Sequence, residues 1–136
     1  MERIEKQSFY QCVNLCQVDI PSSVEVLCEW CFSDCSGLSR VTFASGSCLK
    51  RIEKGVFSGC WRFQEIEIPA SVEVLCEECF SCCSGLSRVR FASGSCLKRI
   101  EQGAFGVCKF KKIEIPASVE FVSDSAFSNR VRVIRN

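Results

Sequence analysis

The chain is 136 residues long, with 17 basic and 16 acidic side chains, a formal net charge of +1, thirteen cysteines and no histidine. The balanced charge disfavours nucleic acid and acidic membranes as partners, and no apolar run reaches the ~20 residues of a membrane-spanning helix. The absence of histidine removes the commonest general base, the Ser–His and Cys–His nucleophile pairs and histidine-containing zinc sites.

The sequence contains a near copy of itself. Residues 20–60 reappear at 68–108 with only eight differences, which gives a period of 48 residues. A shorter unit lies within this period, because phenylalanines recur every 22–25 residues, at Phe9, Phe32, Phe57, Phe80, Phe105 and Phe127. Such repeats are typical of solenoids, in which units too small to fold alone stack on their neighbours and share one core.

Each unit contains one short strand, in which β-branched and aromatic residues alternate with polar ones. In chain order these strands are residues 18–20, 41–43, 66–68, 89–91 and 113–115, with a last strand at 131–134. Proline or glycine then turns the chain into a return segment with apolar residues spaced like Val24 and Leu27. Parallel stacking of the strands predicts a sheet on one side and irregular or short helical return segments on the other.

These elements predict an α/β, β-rich solenoid of about five and a half units of 23–25 residues, in a single domain over residues 1–136. The expected units are 1–17 (partial), 18–40, 41–65, 66–88, 89–112 and 113–136. Residues 3–6 match residues 51–54, so the chain begins within a unit, and neither end carries an obvious polar cap. A fragment of a longer scaffold is therefore an alternative, and uncapped end strands would favour self-association.

The repeat resembles the BspA-like leucine-rich repeat, also called the Treponema pallidum type. The pattern C-x-x-L-x-x-V/I-x-I-P-x-S-V-x-x-L-x-x-x-x-F fits residues 12–32 and 60–80, and residues 41–57 and 89–105 fit a variant with SGSCLKRIE. The resemblance implies a leucine-rich-repeat horseshoe and a non-enzymatic adhesion or protein-binding role, with extracellular or host proteins among the ligands. It implies no catalytic residue and no cofactor.

The sequence supports two opposite expectations for the localisation of the protein. The resemblance implies a cell-surface protein, whereas four of the first six residues are charged and this segment contains no apolar run typical of a signal peptide. The odd number of cysteines favours a reducing compartment.

Five cysteines keep phase with the repeat, one before each strand, at Cys12, Cys35, Cys60, Cys83 and Cys108. This position predicts an interior turn, where a thiol packs as a small hydrophobic group and donates weakly to backbone carbonyls.

Two CxxC pairs, Cys28 with Cys31 and Cys76 with Cys79, have the spacing of zinc half-sites. They lie two coils apart, roughly 10 Å by strand spacing, whereas zinc requires sulfurs within about 4 Å of each other. We therefore predict no metal site from the joined pairs. A cysteine-based metal or thiol-redox protein remains the competing hypothesis, with a local site at one pair plus Cys35, or at Cys79, Cys82 and Cys83.

Strand positions that point away from the core are the predicted partner-binding surface. They are Asp19, Arg40, Thr42, Glu65, Glu67, Arg88, Arg90, Lys112 and Glu114. Ion pairing between neighbouring strands is the alternative interpretation, with each exposed pair worth up to ~1 kcal/mol. The alternating signs disfavour nucleic acid, and the carboxylates have no cleft that would shift a pKa for catalysis.

Trp30 and Trp61 replace glycine, glutamate or serine of the other units, which predicts exposed positions. Exposed tryptophan is a favoured interface anchor, although single exposed apolar side chains are common.

Overall fold

The computed structural model describes residues 2–128 and 130–135, which wind into a parallel β-solenoid. Each coil runs from an even-numbered strand through a turn to an odd-numbered strand, and then around a corner that contains a phenylalanine. The strands are β1 (Glu2–Ile4), β2 (Gln17–Ile20), β3 (Val24–Leu27), β4 (Arg40–Phe43), β5 (Arg51–Ile52), β6 (Glu65–Ile68), β7 (Val74–Leu75), β8 (Arg88–Phe91), β9 (Arg99–Ile100), β10 (Lys112–Ile115), β11 (Phe121–Val122) and β12 (Arg132–Arg135). The predicted β-rich solenoid with parallel strands is confirmed.

The two sides of the solenoid differ in how their strands pair. The odd-numbered strands form one continuous sheet in the order β1-β3-β5-β7-β9-β11, which we call the return sheet. The even-numbered strands, which carry the predicted strand residues, pair only two by two, β2 with β4, β6 with β8 and β10 with β12. The continuous sheet therefore lies on the return segments, where irregular or short helical structure was expected.

The short helices expected in the return segments are absent from residues 2–128 and 130–135. At the corners, alternate backbone N–H groups donate to the next coil: Phe32 N lies 3.1 Å from Val56 O, and Asp34 N lies 2.8 Å from Ser58 O. Trp30 and Asp34 also adopt left-handed backbone conformations, with φ of 61° and 57°. A left-handed residue interrupts an α-helix, so the corner hydrogen bonds connect coils instead of running along a helix.

β4 does not pair with β6, and β8 does not pair with β10. Proline contributes to both of these gaps. The N–H of Ala44 donates to Ile20 O at 3.0 Å where β4 leaves β2, and Ala92 repeats this contact in the second copy. The corresponding positions after β6 and β10 are Pro69 and Pro116, which have no N–H to donate. In the described part of the chain, no backbone hydrogen bond crosses either gap.

Stacked phenyl rings fill the centre of the solenoid. Successive ring centroids lie 5.2–5.6 Å apart, in the order Phe9, Phe32, Phe57, Phe80, Phe105 and Phe127. The four inner rings, from Phe32 to Phe105, are buried, whereas Phe9 is 40% exposed. The column confirms that the phenylalanines recur because each one packs on its copy in the neighbouring coil.

The in-phase cysteines line this column. The Sγ atoms donate to the carbonyl of the phenylalanine one coil earlier, at 3.0 Å for Cys35, 3.2 Å for Cys60, 3.1 Å for Cys83 and 3.2 Å for Cys108. These four residues are buried, and Cys12 is partly buried. Their predicted role as small interior groups that donate to backbone carbonyls is confirmed.

Candidate functional site

The solvent-facing side of the even-numbered strands, which we call the even-strand face, carries two rows of polar side chains. The strand register places the residues of each β-pair opposite one another. One row is Gln17, Arg40, Glu65, Arg88, Lys112 and Arg132, and the other is Asp19, Thr42, Glu67, Arg90 and Glu114. All nine residues of the predicted strip thus lie on one face, and as partner-binding residues they remain a prediction.

The charges of this face are not used in ion pairs. Glu65 lies opposite Arg88, and Glu67 lies opposite Arg90. Even so, among the described residues no carboxylate of the even-strand face lies within 4.0 Å of a basic group. The internal ion-pairing interpretation therefore does not describe this face.

The ion pairs of the described residues lie on the opposite side of the solenoid. Arg99 Nε and Glu101 Oε2 are 2.7 Å apart on the return sheet, and Lys98 reaches Glu120 at 3.7 Å. Similar pairs are Arg3–Glu5, Lys50–Glu73 and Arg51–Glu53, with Lys6–Glu29 beside them. The sequence thus supplies partners to the charges of the return sheet and leaves those of the even-strand face open to solvent.

Asp19 is the one carboxylate of the strip with neighbours that stabilise its charge. The hydroxyl of Thr42 and the side-chain amide of Gln17 donate to Asp19 Oδ1, the latter at 3.3 Å. These hydrogen bonds, that of Thr42 first, lower the pKa of Asp19. The polar side chains at the β2–β4 end of the face are therefore hydrogen-bonded to one another, whereas among the described residues those of β6, β8, β10 and β12 on this face form no such bond.

Each gap between even-numbered strands opens into a surface groove. The groove between β4 and β6 has a volume of about 970 Å³ and contains Arg40, Glu65, Glu67 and Arg90; we call it the neutral groove. The groove between β8 and β10 has a volume of about 1010 Å³. It contains one carboxylate and five basic side chains, and we call it the basic groove: Arg88, Arg90, Lys109, Lys111, Lys112 and Glu114.

The two tryptophans lie away from the even-strand face and differ in exposure. Trp61 is 50% exposed, with the guanidinium of Arg62 5.3 Å from its ring, on a shallow surface that it shares with Val107. Trp30 is only partly exposed, because its indole lies over Gly55 in the next coil and the Lys54 ammonium sits 5.9 Å from its ring. As interface anchors both remain predictions, and the exposure of Trp61 suits that role better.

Burial keeps many of the thiols protonated. It raises the pKa of Cys60 and Cys108 to about 12 and that of Cys76 to about 11, and it also raises the pKa values of Cys31, Cys35, Cys79 and Cys83. The thiolate is the form that attacks electrophiles and binds metals. These cysteines therefore behave as core atoms.

The four cysteines of the CxxC pairs are all buried. Guanidinium groups contact two of them, with Arg3 Nε 3.2 Å from Cys28 Sγ and Arg51 Nη2 3.5 Å from Cys76 Sγ. Among the described residues, no three His, Cys, Asp or Glu side chains are grouped as metal ligands.

The same part of the chain contains no helix long and apolar enough to cross a bilayer.

Sequence reasoning missed part of the basic groove. Lys109 and Lys111 line the groove from the segment before β10. Outside the groove, Arg132 extends the row of Arg88 and Lys112 through the register of β10 with β12. The segment before β10 belongs to a unit with one residue fewer between its cysteine and its strand, so its lysines fall outside the repeat phase. The lysine-rich run at residues 109–112 was the available signal.

Comparison with known proteins matches the repeat to a described family. A model of the BspA-type leucine-rich repeat region matches residues 2–133 in six copies. Among curated proteins, none matches the chain.

Solved structures share the fold over nearly the whole chain. The pneumococcal vaccine antigen PcpA is 26% identical with a TM-score of 0.84, over 98% of this chain and 35% of its own. A leucine-rich repeat protein of T. pallidum is 22% identical with a TM-score of 0.76, over 99% of this chain and 67% of its own. A leucine-rich cell surface protein of Faecalibacterium prausnitzii is 24% identical with a TM-score of 0.67, over 98% and 43%. The chain thus spans about a third of PcpA and less than half of the F. prausnitzii protein.

Proposed function

We propose that this chain, which belongs to the BspA-type leucine-rich repeat family, is a non-enzymatic module that binds protein ligands through its even-strand face. The observation that carries the proposal is the contrast between the two sides of the solenoid. The basic groups of the return sheet pair with neighbouring carboxylates, whereas in the described part of the chain the charged groups of the even-strand face form no ion pair. Charged groups without internal partners are available to fix the register and specificity of a bound protein.

Non-enzymatic binding agrees with the chemistry of the side chains. Glu65 and Glu67 are exposed to solvent on β6, whereas catalytic carboxylates are typically found in enclosed clefts. Buried thiols such as Cys60 and Cys108 have raised pKa values, which disfavours the competing metal or thiol-redox function.

A role in adhesion is the finer part of the proposal. One similar structure is named as a cell surface protein and another as a vaccine antigen. A ligand from outside the bacterial cell, such as a host protein, would therefore suit this chain.

Selection of ligands from a random dodecapeptide library displayed on phage tests the proposal. Selected peptides are then measured against two triple variants with equal charge change, Arg40→Ser/Glu65→Ser/Arg88→Ser on the even-strand face and Lys50→Ser/Glu73→Ser/Lys98→Ser on the return side. We expect the first variant to weaken binding about tenfold or more, and the second to leave it unchanged. Peptides that lose affinity only for the return-side variant would contradict the proposal.

A further inference from the structure

The two grooves of the even-strand face are copies of one another in shape but not in charge. Each is bounded by an even-numbered strand, an Ala-Ser-Gly-Ser turn and the proline of the next unit, and their volumes are about 970 and 1010 Å³. The neutral groove balances two arginines with two glutamates, whereas the basic groove sets five basic groups against Glu114. Duplication has therefore produced the same groove twice, with a strong positive charge in only one copy.

Two substitutions between the copies account for much of this difference. Thr42 in the first copy is replaced by Arg90 in the second, and Glu65 of β6 is replaced by Lys112 of β10. In the described residues, none of the five basic groups of the groove has a carboxylate within 4.0 Å. A bound anion would supply the missing counter-charges.

The spacing of the charges fits an extended polypeptide. Arg88 and Arg90 are two residues apart on β8, so both project from the same face with a separation of roughly 7 Å. Alternate side chains of an extended peptide repeat at the same distance. A peptide with carboxylates at alternate positions would therefore place one against Arg88 and the next against Arg90, and Lys112 would contact them from the opposite wall of the groove.

The apolar part of the lining favours a peptide over other polyanions. Val89, Phe91 and Pro116 are partly exposed and lie in the groove among the basic groups. A peptide can place apolar side chains against them between its carboxylates, whereas a sulfated polysaccharide has no such side chains.

We propose that the basic groove between β8 and β10 binds an acidic, extended segment of a protein partner, with glutamate or aspartate at alternate positions. This inference rests on the proposed function, because it names the class of ligand that the even-strand face receives. The neutral groove does not share this specificity, since it has no excess of positive charge.

Fluorescence anisotropy at low ionic strength tests the assignment with a labelled dodecapeptide of alternating glutamate and serine, and a glutamine–serine peptide as the uncharged control. Arg90→Thr/Lys112→Glu gives the basic groove the residues of the neutral one at these two positions and lowers its excess of basic over acidic groups from four to one. Thr42→Arg/Glu65→Lys makes the reciprocal change. Lys54→Thr/Lys98→Glu carries the same charge change as the first variant but lies outside both grooves.

We expect the glutamate peptide to bind the wild type and the Lys54→Thr/Lys98→Glu control equally, and the glutamine peptide not to bind. Arg90→Thr/Lys112→Glu should raise the dissociation constant about tenfold or more, and the reciprocal variant should lower it. The reciprocal gain tests the groove even where the first variant folds poorly.

Three results would overturn the assignment: no binding of the glutamate peptide, binding that ignores the exchange of residues, or a heparin decasaccharide that binds more tightly and displaces the peptide. If library-selected peptides still bind the even-strand face, the first two results reject only the acidic ligand and leave the proposed function intact. If those peptides also fail to bind the even-strand face, the proposed function is rejected as well.

Discussion

The indole ring of Trp30 lies directly against the α-carbon of Gly55, the residue that occupies the same position in the next coil. A Cβ atom added to Gly55 would overlap the six-membered ring of Trp30. Both residues adopt left-handed backbone conformations, with φ of 61° and 65°. The tryptophan and the glycine are therefore a matched pair, in which the missing side chain of one makes room for the large side chain of the other.

This contact predicts that Gly55→Ala destabilises the fold more than Gly103→Ala. Both substitutions place a side chain at positive φ, at a cost of about 1–2 kcal/mol. At Gly55 the overlap with Trp30 adds about 1–3 kcal/mol, whereas a Cβ at Gly103 meets only the flexible side chain of Glu78, at 3.3 Å. Urea unfolding of the two variants measures the difference.

Removal of the indole provides the control for this prediction. In a Trp30→Ala background, Gly55→Ala should cost no more than Gly103→Ala does in the wild type, because only the backbone penalty remains. Equal losses from the two glycine substitutions in the wild type would show that Trp30 does not press on Gly55.

The phenyl column predicts a graded response to truncation along the stack. Phe57 is completely buried and contacts Phe32, Phe63 and Phe80 with ring centroids 5.3–5.6 Å apart. Phe57→Ala should therefore lower the free energy of unfolding by about 3–5 kcal/mol. Phe9 is 40% exposed, so Phe9→Ala should cost about 1–2 kcal/mol. Urea denaturation provides both values, and equal losses would contradict a shared internal column.

The buried thiol of Cys60 predicts a loss of stability in alkaline solution. Burial raises its pKa from the ordinary 9.0 to about 12, so between these values the unfolded chain releases a proton that the folded chain retains. The stabilisation is complete below pH 9 and declines as the pH rises towards 12, by up to about 1.4 kcal/mol per pH unit for this thiol.

Chemical denaturation at pH 9 to 11 checks this slope. Cys60→Ala should decline less steeply than the wild type, because the titrating group is gone. Val56→Ala also removes buried atoms but no ionisable group, and it should keep the wild-type slope. Parallel slopes for wild type and Cys60→Ala would mean that the thiol is accessible to solvent in the folded state.

The unequal ion pairing of the two sides predicts unequal effects of charge removal. Glu67 has no ion pair within the described residues, so Glu67→Gln should leave the urea midpoint unchanged. Arg99 is bound to Glu101 through both Nε and Nη2 and lies over the ring of Phe121, at 4.4 Å. Arg99→Gln should therefore lower the midpoint measurably. A comparable loss for Glu67→Gln would mean that the even-strand charges stabilise the fold itself.

Much of the solenoid could be predicted from the sequence because each coil repeats the environment of the previous one. Phe57 and Cys60 recur in phase, so their spacing alone indicated a stacked core and an interior turn. The placement of Glu65 and Glu67 on one face with Arg88 and Arg90 followed from the alternation of the strands in the same way. Features that repeat with the unit are thus visible in a single sequence.

Features that depend on the junction between two different units were missed. The gap between β4 and β6 arises at Pro69, which cannot make the hydrogen bond that Ala44 makes one coil earlier. The partial burial of Trp30 depends on the glycine at position 55, and Lys109 and Lys111 entered the basic groove from a unit of altered length. Trp30 and Lys109 depart from the repeat pattern, whereas Pro69 recurs as Pro116, and the pattern does not show which hydrogen bond the proline removes.

Hydrogen–deuterium exchange of the chain with and without a library-selected peptide tests the central claim most directly. The account predicts that bound peptide slows exchange in the even-numbered strands, above all from β6 to β10, and leaves the return sheet unchanged. Protection confined to the return sheet would contradict the assignment of binding to the even-strand face.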